Sequence, residues 1–170
     1  MNRGKITVTI SYLIFTFSFL IFSFPLSAQT AGELDTLLGT NAVSVAAAAR
    51  FVLGAADLLP PDLSGAAAEK AAYDLAFSKG WVNKDAAGTA TFKDTAFLIM
   101  RAFDFKGGLL YSLFQNPRYA YREMIYNKII QGRSDPDMEV SGTRLLQILG
   151  SALTYSGEDD TVLLNTGGAN

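Results

Sequence analysis

Apolar residues recur along most of this chain at three- and four-residue steps, the spacing of one face of an α-helix. Glu33 to Leu38 is a short periodic piece (Leu34, Leu37, Leu38) ended by Gly39. Ser44 stands as an N-cap before a helix carrying Val45, Ala48, Ala49, Phe51, Val52 and Leu53, which Pro60-Pro61 terminates. Ser64 caps the next helix, Gly65 to Lys79, with Ala67, Ala71, Leu75 and Ala76 on one face. Gly80 follows where a helix end favours positive φ. Asn83 to Ala90 is small and polar, a loop. Asp94 to Phe105 is predicted as a helix with Phe97, Leu98, Met100 and Phe103 inward. After Gly107-Gly108 comes the cluster Leu109, Leu110, Tyr111, Leu113 and Phe114, expected to be a satellite of the core; left exposed, it would suit a partner or a membrane. Asn116-Pro117 starts a helix from Arg118 to about Ile130, and Gly132 stops it. Asp135-Pro136-Asp137 is a turn, and Ser141 caps a last helix to about Leu153. The only period-2 run, Ile6 to Ile10, lies in the N-terminal apolar segment, so the expected class is all-α.

That N-terminal segment has its own logic. Arg3 and Lys5 precede a charge-free run from Ile6 to Phe24, Pro25 breaks it, and Leu26-Ser27-Ala28 leads into polar sequence. Positive, apolar, then small is the order of a secretory signal. The expected division is a signal peptide over 1–28, a helical repeat domain over 29–155 and a flexible acidic, Gly-rich tail over 156–170. The alternative to cleavage after Ala28 is an N-terminal membrane anchor, because the apolar run approaches the ~20 residues that span a bilayer. If the signal is cleaved, no span remains. The expected location is therefore outside the cytoplasm, in the periplasm or cell envelope.

Sliding the chain against itself by 48 residues places Tyr73 on Tyr121, Ala76 on Met124, Phe77 on Ile125 and Trp81-Val82 on Ile129-Ile130. Phe92 then falls on Val140, Phe97-Leu98 on Leu145-Leu146 and Met100 on Ile148. Each unit is a helix, a stop, a polar loop, an apolar residue and a capped helix. A partial third copy lies upstream, where Val43-Ser44 echoes Val140-Ser141. Such units need their neighbours to bury their apolar faces.

Ile129-Ile130-Gln131-Gly132, followed by a loop and by Val140-Ser141 before a helix, resembles the S-layer homology (SLH) repeat. That family implies three copies around a threefold-like helical core and binding to cell-wall polysaccharide. Its second helix typically opens Ile-Thr-Arg-Ala-Glu, with the Arg helping to bind glycan. Here the stretches are Val43-Ser44-Val45-Ala46-Ala47, Phe92-Lys93-Asp94-Thr95-Ala96 and Val140-Ser141-Gly142-Thr143-Arg144, and none has that Arg. A broader resemblance covers nearly all of the chain after residue 28. Ala49-Arg50-Phe51-Val52-Leu53, Lys106-Gly107-Gly108, Asn116-Pro117-Arg118-Tyr119-Ala120-Tyr121-Arg122-Glu123 and Ile130-Gln131-Gly132-Arg133-Ser134-Asp135-Pro136 are similar to a spirochaetal envelope family. In that family an SLH-like domain stands alone or precedes an OmpA-type domain. The resemblance implies an envelope location and no enzymatic activity.

Composition narrows the chemistry. The chain has no Cys and no His, so there is no thiol for a disulfide or a lipid anchor, and neither the commonest general base nor the commonest zinc ligand is available. Without Arg3 and Lys5, 12 basic residues face 16 acidic ones, a poor balance for nucleic acid. The expectation is a non-enzymatic protein without cofactor or metal. Arg118, Tyr119 and Arg122, with Tyr121 beside them, form an aromatic-basic run that would suit a sugar or an anionic polymer, against the alternative of core tyrosines and solvated arginines. Trp81, the single Trp, is either core or a sugar platform. Asp135, Asp137 and Glu139 give only a faint calcium pattern, which Pro136 disrupts. The expected function is a structural or protein-interaction module of the envelope, with cell-wall glycan binding as the alternative. The expected partner is an envelope protein or a cell-wall polymer.

Overall fold

Amphipathic segments close into helices once their apolar faces find each other. In a computed structural model of the chain, which describes the backbone of residues 25–166 and the side chains of residues 31–157, seven helices form and no strand. They are α1 (Pro25–Leu38), α2 (Val45–Ala55), α3 (Gly65–Ser78), α4 (Phe92–Ala102), α5 (Leu109–Phe114), α6 (Pro117–Tyr126) and α7 (Gly142–Thr166). The protein is all-α. The chain divides after Asp35, and the unit beginning at Thr36 holds the core. The predicted signal over 1–28 falls outside the residues with described side chains.

The centre of this unit is a closed ring of three backbone hydrogen bonds. The Val43 N–H donates to the Val140 carbonyl (2.9 Å), the Val140 N–H to the Ala90 carbonyl (3.0 Å) and the Ala90 N–H to the Val43 carbonyl (2.9 Å). All three residues are buried, so each polar group needs a partner, and the ring supplies it. The next residue in each case is an N-cap: Ser44, Thr91 and Ser141. Ser44 Oγ accepts from the Ala47 N–H (3.1 Å), and Ser141 Oγ accepts from the Arg144 N–H (3.3 Å). At Thr91 the Asp94 carboxylate reaches back to the Thr91 N–H (3.2 Å) and receives its hydroxyl (2.6 Å).

Each loop also serves a helix other than the one it leads into. Val45 and Ala46, opening α2, donate to the carbonyls of Gly88 and Ala86, while Phe92 and Lys93, opening α4, donate to those of Met138 and Pro136. Gly142, opening α7, donates to the Thr40 carbonyl (2.9 Å). Helix N–H groups with no intrahelical acceptor are thus satisfied in a cyclic exchange. The approach at Gly142 is close: a Cβ there would lie 1.7 Å from the Leu37 carbonyl oxygen, so only glycine fits.

The repeat is visible in this geometry, with one correction to its register. The α3 and α6 halves match at the 48-residue shift. Trp81 donates to Ala76 as Ile129 does to Met124, and Gly80 (φ 67) and Lys128 (φ 58) share the left-handed turn between them. The capped halves do not match at that shift. Ala90, not Phe92, is the counterpart of Val140, and Phe92 is the first residue of its helix. The loop after Ile130 is two residues longer than the loop after Val82, and apolar residues on both sides of the slip concealed it. With Thr91 as the cap, Ala48, Thr95 and Leu145 become equivalent, as do Val52, Ile99 and Leu149, and all six are buried. Helices α2 and α4 end alike, with Asp57 (φ 56) and Asp104 (φ 52) in left-handed turns.

Other boundaries shift too. Helix α2 stops at Ala55 because the Asp57 turn ends it before the prolines act. Helix α6 stops at Tyr126 rather than Ile130, since the chain turns at Lys128 to bury Ile129 and Ile130. Helix α7 runs to Thr166, well past Leu153 and through most of the expected tail; no proline interrupts that stretch.

Candidate functional site

Helix α5 has no counterpart in the α2–α3 connection and stands as an addition to the repeat. Six residues make fewer than two turns, too few to point five apolar side chains inward. Only Tyr111 is buried; Leu109 is 77% exposed, Leu113 65%, Phe114 57% and Leu110 45%. The cluster is therefore an exposed patch, not the satellite of the core that its composition suggested. Leu109 and Leu113 lie one turn apart, as do Leu110 and Phe114, so they form two adjacent columns. The Phe114 ring stacks on Tyr119 of α6 (5.8 Å between centroids), and Glu123 sits against Gly108.

Three of the four residues singled out from sequence lie on α6. Asn116 Oδ1 accepts from the Arg118 and Tyr119 N–H groups (3.0 and 3.1 Å), fixing the start of the helix. Tyr119, half-buried, is held in the α5 contact, whereas Arg118 and Arg122 are exposed one turn apart. Tyr126, one turn beyond Arg122, is 83% exposed. Tyr121 turns away from this face and hydrogen-bonds Ser134 (2.9 Å).

Trp81 stands apart from the arginines. It is half-buried, packs against the core and has the Lys79 ammonium over its ring at 5.2 Å. It lines a cleft of about 230 Å³ whose walls include Phe97, Pro117, Lys84, Asp94, Gln115 and Asn116. The cleft's charges are already engaged. Lys84 Nζ pairs with Asp94 Oδ2 (2.6 Å), and the same carboxylate oxygen serves the Thr91 cap. That oxygen is therefore occupied within the fold.

Among the described residues, the environments of the Tyr111 hydroxyl and the Asp137 carboxyl displace them from their usual values. Burial pushes the Tyr111 hydroxyl up. The Arg101 guanidinium nearby pulls the other way, although no hydrogen bond of good geometry joins them. The hydrogen bond from Lys93 holds Asp137 below the usual carboxylate range, helped by the charges of Lys93, Arg118 and Lys84. Asp135 is occupied in its own turn, accepting from the Asp137 N–H (2.9 Å). Among the described residues no three acidic side chains gather closely enough to hold a metal ion.

Sequence reasoning named Arg118, Tyr119 and Arg122 as a candidate surface and took Leu109 to Phe114 as core, with an exposed patch as the alternative; the exposed alternative is what the structure shows. The available signal was the length of that apolar run between Gly108 and Pro117. The molecule thus offers an apolar-basic surface on α5 and α6 and a small aromatic-amide cleft at Trp81. Compared with known protein families, curated proteins and solved structures, the chain matches none.

Proposed function

We propose that this chain is an exported, non-enzymatic module of the cell envelope that works by contact, through the surface of α5 and the adjoining face of α6. The observation that carries the reading is the exposure of Leu109, Leu110, Leu113 and Phe114 on one short helix. Exposed apolar side chains in a contiguous patch mark a surface that a partner covers. The envelope part rests on the signal-like order of residues 1–28 and on the resemblance to SLH-like envelope proteins. The absence of Cys and His supports a role without nucleophilic or general-base chemistry.

The test is retention by isolated cell envelopes, comparing the chain with a Leu109→Ser, Leu113→Ser double variant. Both positions are exposed, so the fold survives the change. The expected result is retention of the parent and loss of the variant at equal melting temperature. Equal retention of the two refutes the reading.

A second reading has its own observation. Trp81, with amide side chains at Gln115 and Asn116, makes an aromatic wall with hydrogen-bonding groups, a combination that suits a sugar ring. Binding to purified peptidoglycan or wall polysaccharide that is lost on Trp81→Ala, and also on Arg118→Ala with Arg122→Ala, supports this glycan role. Binding indifferent to all three removes it.

A further inference from the structure

The surface on α5 and α6 has a charge as well as an apolar character. Residues 106–133 contain five basic side chains (Lys106, Arg118, Arg122, Lys128 and Arg133) against one acid, Glu123. The whole chain carries a net charge of −2, so this segment runs against its background. Four of those basic residues lie on the segment that follows α5, and all five are exposed, whereas Glu123 is half-buried beside Gly108. The helical spacing of α6 sets Arg122 and Tyr126 next to the Tyr119–Glu123 edge that meets α5. The result is a patch of three leucines and a phenylalanine, bordered by Tyr119, Lys106 and the arginines of α6, with Asp104 near Tyr111 and Asp137 near Arg118 as the acids at its margins.

A protein interface and a lipid interface place different demands on such a patch. A protein partner needs complementary shape and matched polar groups. A bilayer surface needs apolar side chains that enter the acyl boundary, aromatic rings that sit at headgroup level, and long basic side chains that reach phosphates. This patch supplies the second set. A neutral glycan would use neither the leucines nor the excess charge. We infer that α5 and the outer face of α6 rest on an anionic lipid surface, with Leu109, Leu110, Leu113 and Phe114 entering it and Arg118 and Arg122 meeting its phosphate groups. This names the partner of the surface proposed above and rests on that reading. Six residues bury little area, so the contact is shallow and reversible, an orienting contact rather than an anchor.

The absence of Cys permits a direct test in the full chain. One cysteine is introduced by Leu113→Cys and labelled with an environment-sensitive fluorophore. A second protein carries the label through Asp62→Cys, exposed in the α2–α3 connection, which stands where the α4–α6 connection carries α5. Each is mixed with vesicles of phosphatidylglycerol and phosphatidylcholine, or of phosphatidylcholine alone. Because the label reports its own surroundings, any insertion of residues 6–24 does not mask the result. The expected outcome is a blue shift and quenching by nitroxide lipids at position 113 on anionic vesicles only, with position 62 remaining in water. Arg118→Gln with Arg122→Gln lowers the inserted population at position 113 by roughly tenfold or more.

A label at 113 that stays in water on both vesicles overturns the inference, and so does an equal response on neutral vesicles. A blue shift that grows with protein concentration without vesicles also overturns it, in favour of a second copy. If lipid insertion fails while envelope retention still depends on Leu109 and Leu113, the interaction module stands with a different partner. If both fail, both readings fall.

Discussion

Thr95 places a hydroxyl at the centre of the core. Its side chain is 1% exposed, its Oγ1 has no hydrogen-bond partner, and its equivalents in the other two capped helices are Ala48 and Leu145. Thr95→Val exchanges the hydroxyl for a methyl of similar size. A buried hydroxyl without a partner costs about 1–3 kcal/mol, and a newly buried methyl contributes up to about 0.8 kcal/mol. Val and Thr have nearly the same helix propensity, so that term cancels. The expected change is a stabilisation of about 1–2 kcal/mol, or a rise in Tm of roughly 3–8 °C for a domain of this size. Urea unfolding followed by far-ultraviolet circular dichroism reads it directly: the midpoint rises while the slope stays constant. Thr95→Ser is the companion variant. It keeps the hydroxyl and deletes the methyl, so it should destabilise by about 1 kcal/mol. A midpoint that falls in the valine variant refutes the reasoning, because it would mean that the hydroxyl is satisfied and its loss matters.

Three further outcomes follow from features of the fold. Gly142→Ala brings a Cβ against the Leu37 carbonyl and should cost about 3 kcal/mol, seen in the same unfolding experiment; a variant as stable as the parent would mean that the α1–α7 junction yields easily. Tyr111 holds its proton more tightly when folded, chiefly through burial, so its contribution persists below the ordinary tyrosine value near 10 and fades as pH rises through the raised one. Stability curves of the parent and Tyr111→Phe should therefore coincide below about pH 10 in shape and diverge above it, with the variant losing less. Asp137 has the opposite sign: its stabilisation is present above the ordinary carboxylate value near 3.9 and is lost as pH falls through the lowered one. In Lys93→Gln a carbon-detected titration should return the Asp137 carboxyl upward toward that ordinary value, and an unmoved midpoint would mean that Lys93 is not the cause.

Much of the fold was legible because helix starts carry local chemistry. Ser44, Asn116-Pro117 and Ser141 cap helices where the sequence predicts them, and Gly80 takes positive φ at the end of α3. What failed was register. Phe92 and Val140 are both apolar and both lie near a helix start, so a gapless shift pairs them; the hydrogen bonds of Ala90 distinguish the two alignments. The sequence Thr91-Phe92-Lys93-Asp94 is itself a capping signal that places the boundary correctly. Helix α7 outruns its expected end because serine, glycine and acidic residues weaken a helix without stopping it. The candidate site was half legible. Arg118 and Arg122 stand out by type and spacing, whereas the exposure of Leu109 to Phe114 depends on how short α5 is and on the absence of a matching helix elsewhere in the repeat. Composition cannot report that.

The cyclic exchange among Val43, Ala90 and Val140 has a consequence for how this architecture can vary. A stack of repeats that grows along an axis ends in unpaired units at both ends, and it tolerates another copy by simple extension. Here each member both gives and receives, as subunits do around a closed rotation axis rather than along a filament. Three members complete the circuit, and a fourth would find no free donor or acceptor to join. Variation must therefore enter between the members, in the connections that leave the circuit untouched, and α5 is such an entry.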